Sequence, residues 1–235
     1  AYLSHRAIPS IENRTGVKFT YVPVLIGGVF KATGNASPAV TLQGIKNKTE
    51  YQNVEMLRFL KKHSITDYNQ NPFFPVNTLQ IMRGAIFAQS QDYYERYIDE
   101  IYRHMWCEPK KMDDAEVIRA AFEESGLPAD AIFEGMQDAT VKQILIDNTS
   151  RSVEMGAFGS PTFFVENEIF FGKDKLVDVE DDYGDMMSQA DFADAEDDLG
   201  LLADCGEDAE ETEAEGAEPV GLVNDEEARS LEARD

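Results

Sequence analysis

The sequence predicts an α/β fold in which one small sheet is split by a long helical segment. Strand patterns occur at 17–24 and at 162–171, and the residues between about 43 and 155 follow a helical pattern. With 235 residues, 43% of them hydrophobic, the chain can bury a core without a disulfide or a metal. We therefore expect a sheet domain formed by 1–42 and 156–183, with the helical domain 43–155 inserted between its halves.

The N-terminal part has the pattern of a helix followed by a strand. The predicted helix covers about 1–14 and ends at Gly16, and β-branched and aromatic residues then alternate from Val17 to Val24. This order is the second half of a βαβ unit. The sequence begins on the helix itself, so we expect the sheet to lack its first strand.

Apolar residues recur at helical spacing in two places within 43–155. A face with this spacing is typically buried against other helices. We therefore expect both stripes to build core: Val54, Leu57 and Leu60 in one helix, and Tyr94, Ile98, Ile101 and Met105 in another.

The acidity of the chain is concentrated at its C-terminal end. Of the formal net charge of −24, residues 181–235 carry 21 acidic and two basic side chains, which leaves −5 for residues 1–180. The segment 184–235 is also poor in aromatic residues, which predicts a disordered acidic tail. A tail that binds a basic partner and a tail foreign to the fold are the alternatives. The sequence has no cluster of basic residues that would bind nucleic acid, so we expect no nucleic-acid partner.

The cysteines and histidines do not form a recognisable metal or redox motif. Cys107 and Cys205 are far apart, and neither has C-x-x-C spacing. His104 could share a helical face with Cys107, but such a pair without further ligands is usually packing, so no metal is expected. No apolar run approaches the roughly 18 residues of a membrane span. We expect a cytoplasmic protein that does not bind membranes.

The most informative motif is the run FGSPTFFV at 158–165. A turn at Ser160-Pro161 leads into an apolar strand, and an ordinary turn is the simplest interpretation. Proline lacks an N–H and readily adopts the cis form, however, which would leave the backbone of Ser160 free to pair with an extended, peptide-like ligand. A second strand follows Asn167 and closes on a polar corner at 171–174.

Together with the loop from Gly27 to Asn35, these motifs resemble the 2-hydroxychromene-2-carboxylate isomerases and the related kappa-class glutathione transferases. The resemblance runs from Ala1 to about Val179, with further matches at 74–78 and 102–106. It implies a thioredoxin-like fold with a large all-α insertion, glutathione as the cofactor, and a homodimer.

The resemblance also implies which residues bind glutathione. Asp174 would receive the γ-glutamyl ammonium, with a helix N-cap as its alternative role. Asn35 and Lys48 match positions that reach the cysteinyl-glycine end. The full set is Ser160, Pro161, Phe171, Gly172, Lys173, Asp174, Asn35 and Lys48.

A small aromatic carboxylate is the substrate class that the resemblance implies. Lys31 is the candidate for holding its carboxylate, and Asn77 lies where the inserted domain returns to the cleft. An aromatic residue is more often core than substrate wall. The candidates for an apolar wall are Phe30, Phe73, Phe74 and Trp106.

The catalytic group of these families is a serine in a Ser-Pro-aromatic motif at the start of the first helix. By the resemblance that serine would lie upstream of Ala1, so we expect no catalytic residue in this chain, and an inactive chain is one expected consequence. Ala1 itself occupies the position of the second cysteine of dithiol oxidoreductases, which argues against dithiol redox chemistry.

These observations favour a glutathione-dependent isomerase that converts 2-hydroxychromene-2-carboxylate-type compounds, in aromatic catabolism, to trans-benzylidenepyruvate-type products. A kappa-like glutathione transferase or peroxidase is the first alternative. A non-catalytic thioredoxin-like binding module is the second.

Overall fold

The structure is a computed structural model that describes residues 1–183. The predicted acidic tail, 184–235, lies outside the described residues. No helix within 1–183 is long and apolar enough to cross a membrane. The elements in chain order are α1 (Tyr2–Thr15), α2 (Ile26–Thr33), α3 (Pro38–Thr41), α4 (Lys48–Lys62), α5 (Leu79–Ala88), α6 (Tyr94–Trp106), α7 (Ala115–Glu124), α8 (Ala129–Gly135), α9 (Ala139–Glu154), β1 (Thr162–Val165) and β2 (Glu168–Phe171). A 3₁₀ turn at Lys173–Lys175 leads into a helix from 176 to 183.

The first helix confirms the prediction from sequence. Gly16 ends α1 in the left-handed region, with φ 77°, and its N–H donates to the Glu12 carbonyl. The buried side of α1 packs against α4 and the 176–183 helix. This contact forms one of the cores within 1–183, with buried members Ala7, Ile8, Ile11, Phe59, Ile65 and Leu176.

The predicted strand at 17–24 is wrong, because residues 16–25 form no strand in the structure. A strand requires a neighbour that completes its ladder of hydrogen bonds, and β1 pairs only with β2 within the described chain. Side chains bind the backbone here instead. The Phe19 N–H donates to the Glu12 carboxylate, and the Leu25 N–H donates to Thr149 Oγ1.

The predicted loop from Gly27 to Asn35 is also wrong, because most of it is the helix α2. Val29 is buried, and the helix packs closely against α9. A Cβ on Gly28 would lie 3.0 Å from Thr149 Cγ2, a tight contact, so glycine favours this close approach. Gly34 ends the helix in the left-handed region, with φ 66°.

The two apolar stripes that the sequence predicts to be buried, on α6 and on α4, differ in how far the structure buries them. The stripe on α6 is confirmed, since Met105 is buried in a large core built by α5 to α8 and its other members pack against that core. The stripe on α4 is wrong for Val54 and Leu57, which are 43% and 63% exposed, whereas Leu60 packs against the core beside α1. Phe59 is the buried residue of α4, because that helix covers α1 with one narrow face.

The two strands form the antiparallel hairpin that the sequence predicts. Thr162 lies opposite Phe171, and Val165 lies opposite Glu168. Glu166 adopts a positive φ of 47° in the connection before Asn167. The hairpin brings its two open ends, the Ser160-Pro161 turn and the corner at 172–174, next to each other.

Candidate functional site

The Ser160-Pro161 turn and the corner at 172–174 meet at the open end of the hairpin. The Ser160–Pro161 peptide bond is cis, as the sequence suggests. The Gly172 N–H donates to the Pro161 carbonyl over 2.9 Å, which joins the two segments directly. Ser160 is exposed beside this joint. Four predicted binding residues, Ser160, Pro161, Phe171 and Gly172, are therefore neighbours.

An aromatic pair and an asparagine complete this end of the hairpin. The rings of Phe158 and Phe171 have centroids 4.5 Å apart, and both side chains are about half exposed. Gly159 lies against the Phe171 ring, where a Cβ would be only 2.8 Å from Cε2. Asn35 Nδ2 donates to the Phe158 carbonyl over 2.7 Å. Asn35 thus lies at the turn, and its amide holds the backbone there.

The corner itself presents polar groups to solvent. Gly172, with φ 96°, is the cap of the 3₁₀ turn, so the alternative that Asp174 is the N-cap is wrong. Asp174 is exposed and pairs with Lys173 Nζ at 2.5 Å. Within 1–183 the backbone N–H groups of Lys173 and Asp174 have no hydrogen-bond acceptor. Free N–H groups at the start of a helix, beside a carboxylate, suit an amino-acid zwitterion.

The corner lies close to the N-terminal end of α1. The charge of Lys173 acts on Ala1, the residue that precedes α1. Lys173 Nζ also lies 4.7 Å from the ring centroid of Phe59, which packs on α1. The N-terminal end of a helix is the positive end of its dipole.

A polar network that the sequence did not reveal surrounds the start of α1. Arg6 Nη1 donates to the Tyr2 hydroxyl and to Asp67, at 2.7 Å each, and the Tyr2 hydroxyl lies 3.2 Å from Cys107 Sγ. Burial raises the pKa values of both Tyr2 and Cys107. Cys107 is therefore a protonated thiol at neutral pH and not an activated nucleophile. Asp67 and Cys107 lie 65 and 105 positions from Tyr2 along the chain, so no local motif signals these contacts.

His104 lies in a different network from Cys107. His104 Nε2 contacts Ser125 Oγ at 2.9 Å, and ligand atoms of His104, Glu108 and Glu124 lie within 4.8 Å of one another. Burial first, and then the charges of Lys110 and Arg103, lower the pKa of His104. Arg103 and Lys110 bind the two carboxylates, so these cations already occupy the cluster.

The remaining predicted residues are not gathered at the hairpin. Lys48 is the exposed first residue of α4, and its side chain has no hydrogen bond or ion pair within 1–183. Lys31 and Phe30 lie on α2, and Asn77 Oδ1 accepts from the Leu79 N–H at the start of α5. Trp106 stacks on Tyr68 and contacts the tilted ring of Phe74, with centroids 5.9 and 5.8 Å apart. The roles of these residues, and of the wall residue Phe73, stay predictions.

The described fold is that of a DsbA-like thioredoxin domain. A family model described as a DSBA-like thioredoxin domain matches residues 1–184, which is most of the chain. The protein therefore belongs to the DSBA-like thioredoxin domain family.

Relatives within this fold include isomerases and glutathione transferases. The chain is 26% identical over 184 residues to a 2-hydroxychromene-2-carboxylate isomerase of Sphingobium xenophagum, covering 75% of this chain and 88% of that protein. It is 23% identical over 201 residues to glutathione S-transferase kappa 1 of Caenorhabditis elegans, covering 75% and 82%. A solved 2-hydroxychromene-2-carboxylate isomerase superposes with a TM-score of 0.69 at 21% identity, covering 81% of this chain and 92% of that one. The protein is thus related to enzymes of both kinds.

Proposed function

We propose that the protein is a glutathione-dependent cis–trans isomerase of aromatic carboxylates of the 2-hydroxychromene-2-carboxylate type. The observation that carries this proposal is the meeting of three groups at one place. They are the exposed Ser160 backbone, the free N–H groups of the 173–174 corner, and the start of α1. The similarity to isomerases supports the choice of reaction. A homodimer and a cytoplasmic location remain predictions.

The residues present fit glutathione, an extended tripeptide with two carboxylates and one ammonium. Asp174 is the acceptor for the ammonium, and the N–H groups of Lys173 and Asp174 bind the adjoining carboxylate. Ser160 pairs through its backbone with the cysteinyl part. Glutathione would supply a nucleophilic sulfur that adds reversibly to a conjugated system.

The part that this chain plays in the proposed reaction is orientation and charge stabilisation. The N-terminal end of α1 favours an anionic sulfur through the helix dipole. The half-exposed rings of Phe158 and Phe171 offer an apolar surface next to the turn. Holding both reactants beside each other lowers the entropic cost of their encounter. No side chain within 1–183 is assigned to proton transfer.

The binding part of the proposal is tested by exchanging Asp174. We expect Asp174→Asn to weaken glutathione binding by about tenfold or more, because it removes the charge that matches the ammonium. Asp178→Asn is the matched control, since Asp178 lies one turn further along and pairs with Lys175 instead. Calorimetric titration of both variants gives the comparison. Equal affinity of the two variants would remove Asp174 from the site.

The reaction itself is tested by following 2-hydroxychromene-2-carboxylate and total glutathione together. An isomerase consumes the first and leaves the second unchanged. Loss of glutathione into a conjugate, with a chlorodinitrobenzene-type electrophile as the comparison, would instead favour the transferase alternative. The similarity to kappa 1 transferases is the observation that keeps this second candidate.

A further inference from the structure

A cavity of about 560 Å³ lies between α1, α4 and residues 173–180. Lys173 and Asp174 line it at one end, whereas Ser160, Pro161, Phe171 and Asn35 do not. The cavity therefore begins at the corner proposed for glutathione and extends away from the hairpin. Its volume is within the range of small-molecule sites.

The floor of this cavity is apolar and its rim carries cations. The floor consists of Val177, which is 46% exposed, together with Phe59, Ile11 and Leu176 of the core beneath it. The basic side chains of the rim come from all three surrounding elements: Arg6 and Arg14 from α1, Arg58, Lys62 and His63 at the end of α4, and Lys173 from the corner. A ligand for this cavity needs an apolar body and at least one negative charge.

The carboxylates of the rim already have partners. Glu180 accepts two hydrogen bonds from Arg14 at 2.7 Å each, Glu55 pairs with Arg58, and Asp174 pairs with Lys173. The Lys62 side chain has no ion pair or hydrogen bond within 1–183. The pairing thus leaves positive charge unmatched on the α4 side of the cavity.

The pKa of His63 responds to this unmatched positive charge. Its ring packs on Phe59, with centroids 4.2 Å apart. Burial lowers the pKa of His63, and the charges of Lys62, Arg14 and Lys173 lower it further. An anion placed among these cations would raise that pKa, because a negative charge favours the protonated ring.

We propose that this cavity is a second ligand site, which binds an aromatic carboxylate with its ring on the apolar floor and its carboxylate at Lys62 and His63. A planar ring can lie against Val177, which lines the cavity and is 46% exposed, and an ammonium beside an imidazole suits the carboxylate. An anion with no apolar part lacks the contact with Val177. The site is separate from the hairpin end and shares only the Lys173–Asp174 corner with it.

The test follows the three histidines of the full chain by NMR during a pH titration, with salicylate as the probe. The expected result is that saturating salicylate raises the pKa of His63 and leaves that of His104 unchanged. Inorganic phosphate, which lacks the apolar part, is expected to need a higher concentration. An unchanged His63 pKa in salicylate, or a response to phosphate at equal or lower concentration, would overturn the proposal.

Two lysines at the end of α4 provide a matched pair of variants. Lys62→Gln is expected to weaken salicylate binding about five- to tenfold, since it removes a charge-assisted contact. Lys61→Gln removes an equally exposed charge that does not line the cavity, and is expected to change nothing. Equal weakening in both variants would mean a non-specific attraction and would contradict the site. Failure to bind glutathione would defeat the function proposed above and leave the His63 response to salicylate intact.

Discussion

The neighbours of Gly84 across the helical core leave no room for a side chain larger than a hydrogen atom. A Cβ at this position would lie 2.2 Å from the Tyr97 hydroxyl oxygen and 2.7 Å from Met136 Cε. Tyr97 cannot move away easily, because its ring is fully buried and its hydroxyl donates to the Ile81 carbonyl. The glycine therefore sets how closely α5 and α6 approach.

Gly84→Ala is expected to lower the free energy of unfolding by about 1–3 kcal/mol, the usual cost of overpacking a core. Gly27→Ala is the control, since Gly27 is also within a helix but a Cβ added there would have nothing within 4 Å. We expect Gly27→Ala to be neutral or to stabilise by up to about 1 kcal/mol through helix propensity. Urea denaturation measures both. Similar values for the two variants would contradict the close packing around Gly84.

Asn71 is a buried polar residue whose side chain is bound on both sides by backbone. Its Nδ2 donates to the Met105 and Lys110 carbonyls at 3.0 and 3.1 Å, and its Oδ1 accepts from the Phe73 N–H at 2.8 Å. Asn71→Ala leaves three backbone groups without their hydrogen-bond partner and should lower the free energy of unfolding by about 2–4 kcal/mol. Denaturant titration checks this value, and a loss below about 0.5 kcal/mol would show that these bonds contribute little.

Residue-level predictions from sequence succeeded where the signal was local. Ser160-Pro161 and Gly16 carry their backbone geometry in their own chemistry, so the turn and the helix end could be predicted. The contact of Tyr2 with Cys107 depends on how distant elements pack. No periodicity or motif encodes such contacts, which is why they could not be predicted.

At the level of elements, the N-terminus of α9 is stabilised by one acidic capping residue, Asp138. Asp138 accepts hydrogen bonds from the N–H groups of Thr140 and Val141, and these bonds lower its pKa. A carboxyl with a lowered pKa in the folded state stabilises the fold above its ordinary pKa. That contribution is lost as the pH falls below the ordinary value and through the folded one.

Asp138→Ala is therefore expected to lower the melting temperature at neutral pH, with a smaller difference from the wild type at about pH 2. Asp138→Asn keeps an uncharged acceptor and should show less of this pH dependence. Thermal unfolding followed by circular dichroism across the pH range measures the three proteins. A difference between wild type and Asp138→Ala that is the same at both ends of the range would rule out the charged cap.

Element-level predictions failed where local pattern and tertiary environment disagree. Residues 17–24 have strand composition, but no described segment completes a ladder with them, so they form no strand, and the Phe19 N–H donates to a side chain instead. The glycines of α2 suggested a loop, although Gly28 instead allows α2 to approach α9. The exposed stripe of α4 shows that helical spacing identifies a helix without showing which face is buried.

At the scale of the whole molecule, the proposed function depends on segments that are far apart in sequence. The start of α1 lies close to the 173–174 corner, and the corner to the Ser160-Pro161 turn, although nearly the whole described chain separates α1 from both. The run of helices from α4 to α9 was predictable from periodicity. The cavity beside α4 was not, because it is formed by three elements whose packing the sequence leaves open.

Backbone amide NMR during a glutathione titration tests the proposed binding site most directly. We expect saturable shifts that are largest at Ser160, Lys173 and Asp174 and at the first turn of α1, and that are reduced in Asp174→Asn. These amides surround the proposed ligand, whereas the core of α5 to α8 should not respond. The absence of saturable shifts, or shifts centred away from the turn and the corner, would contradict glutathione binding at this site.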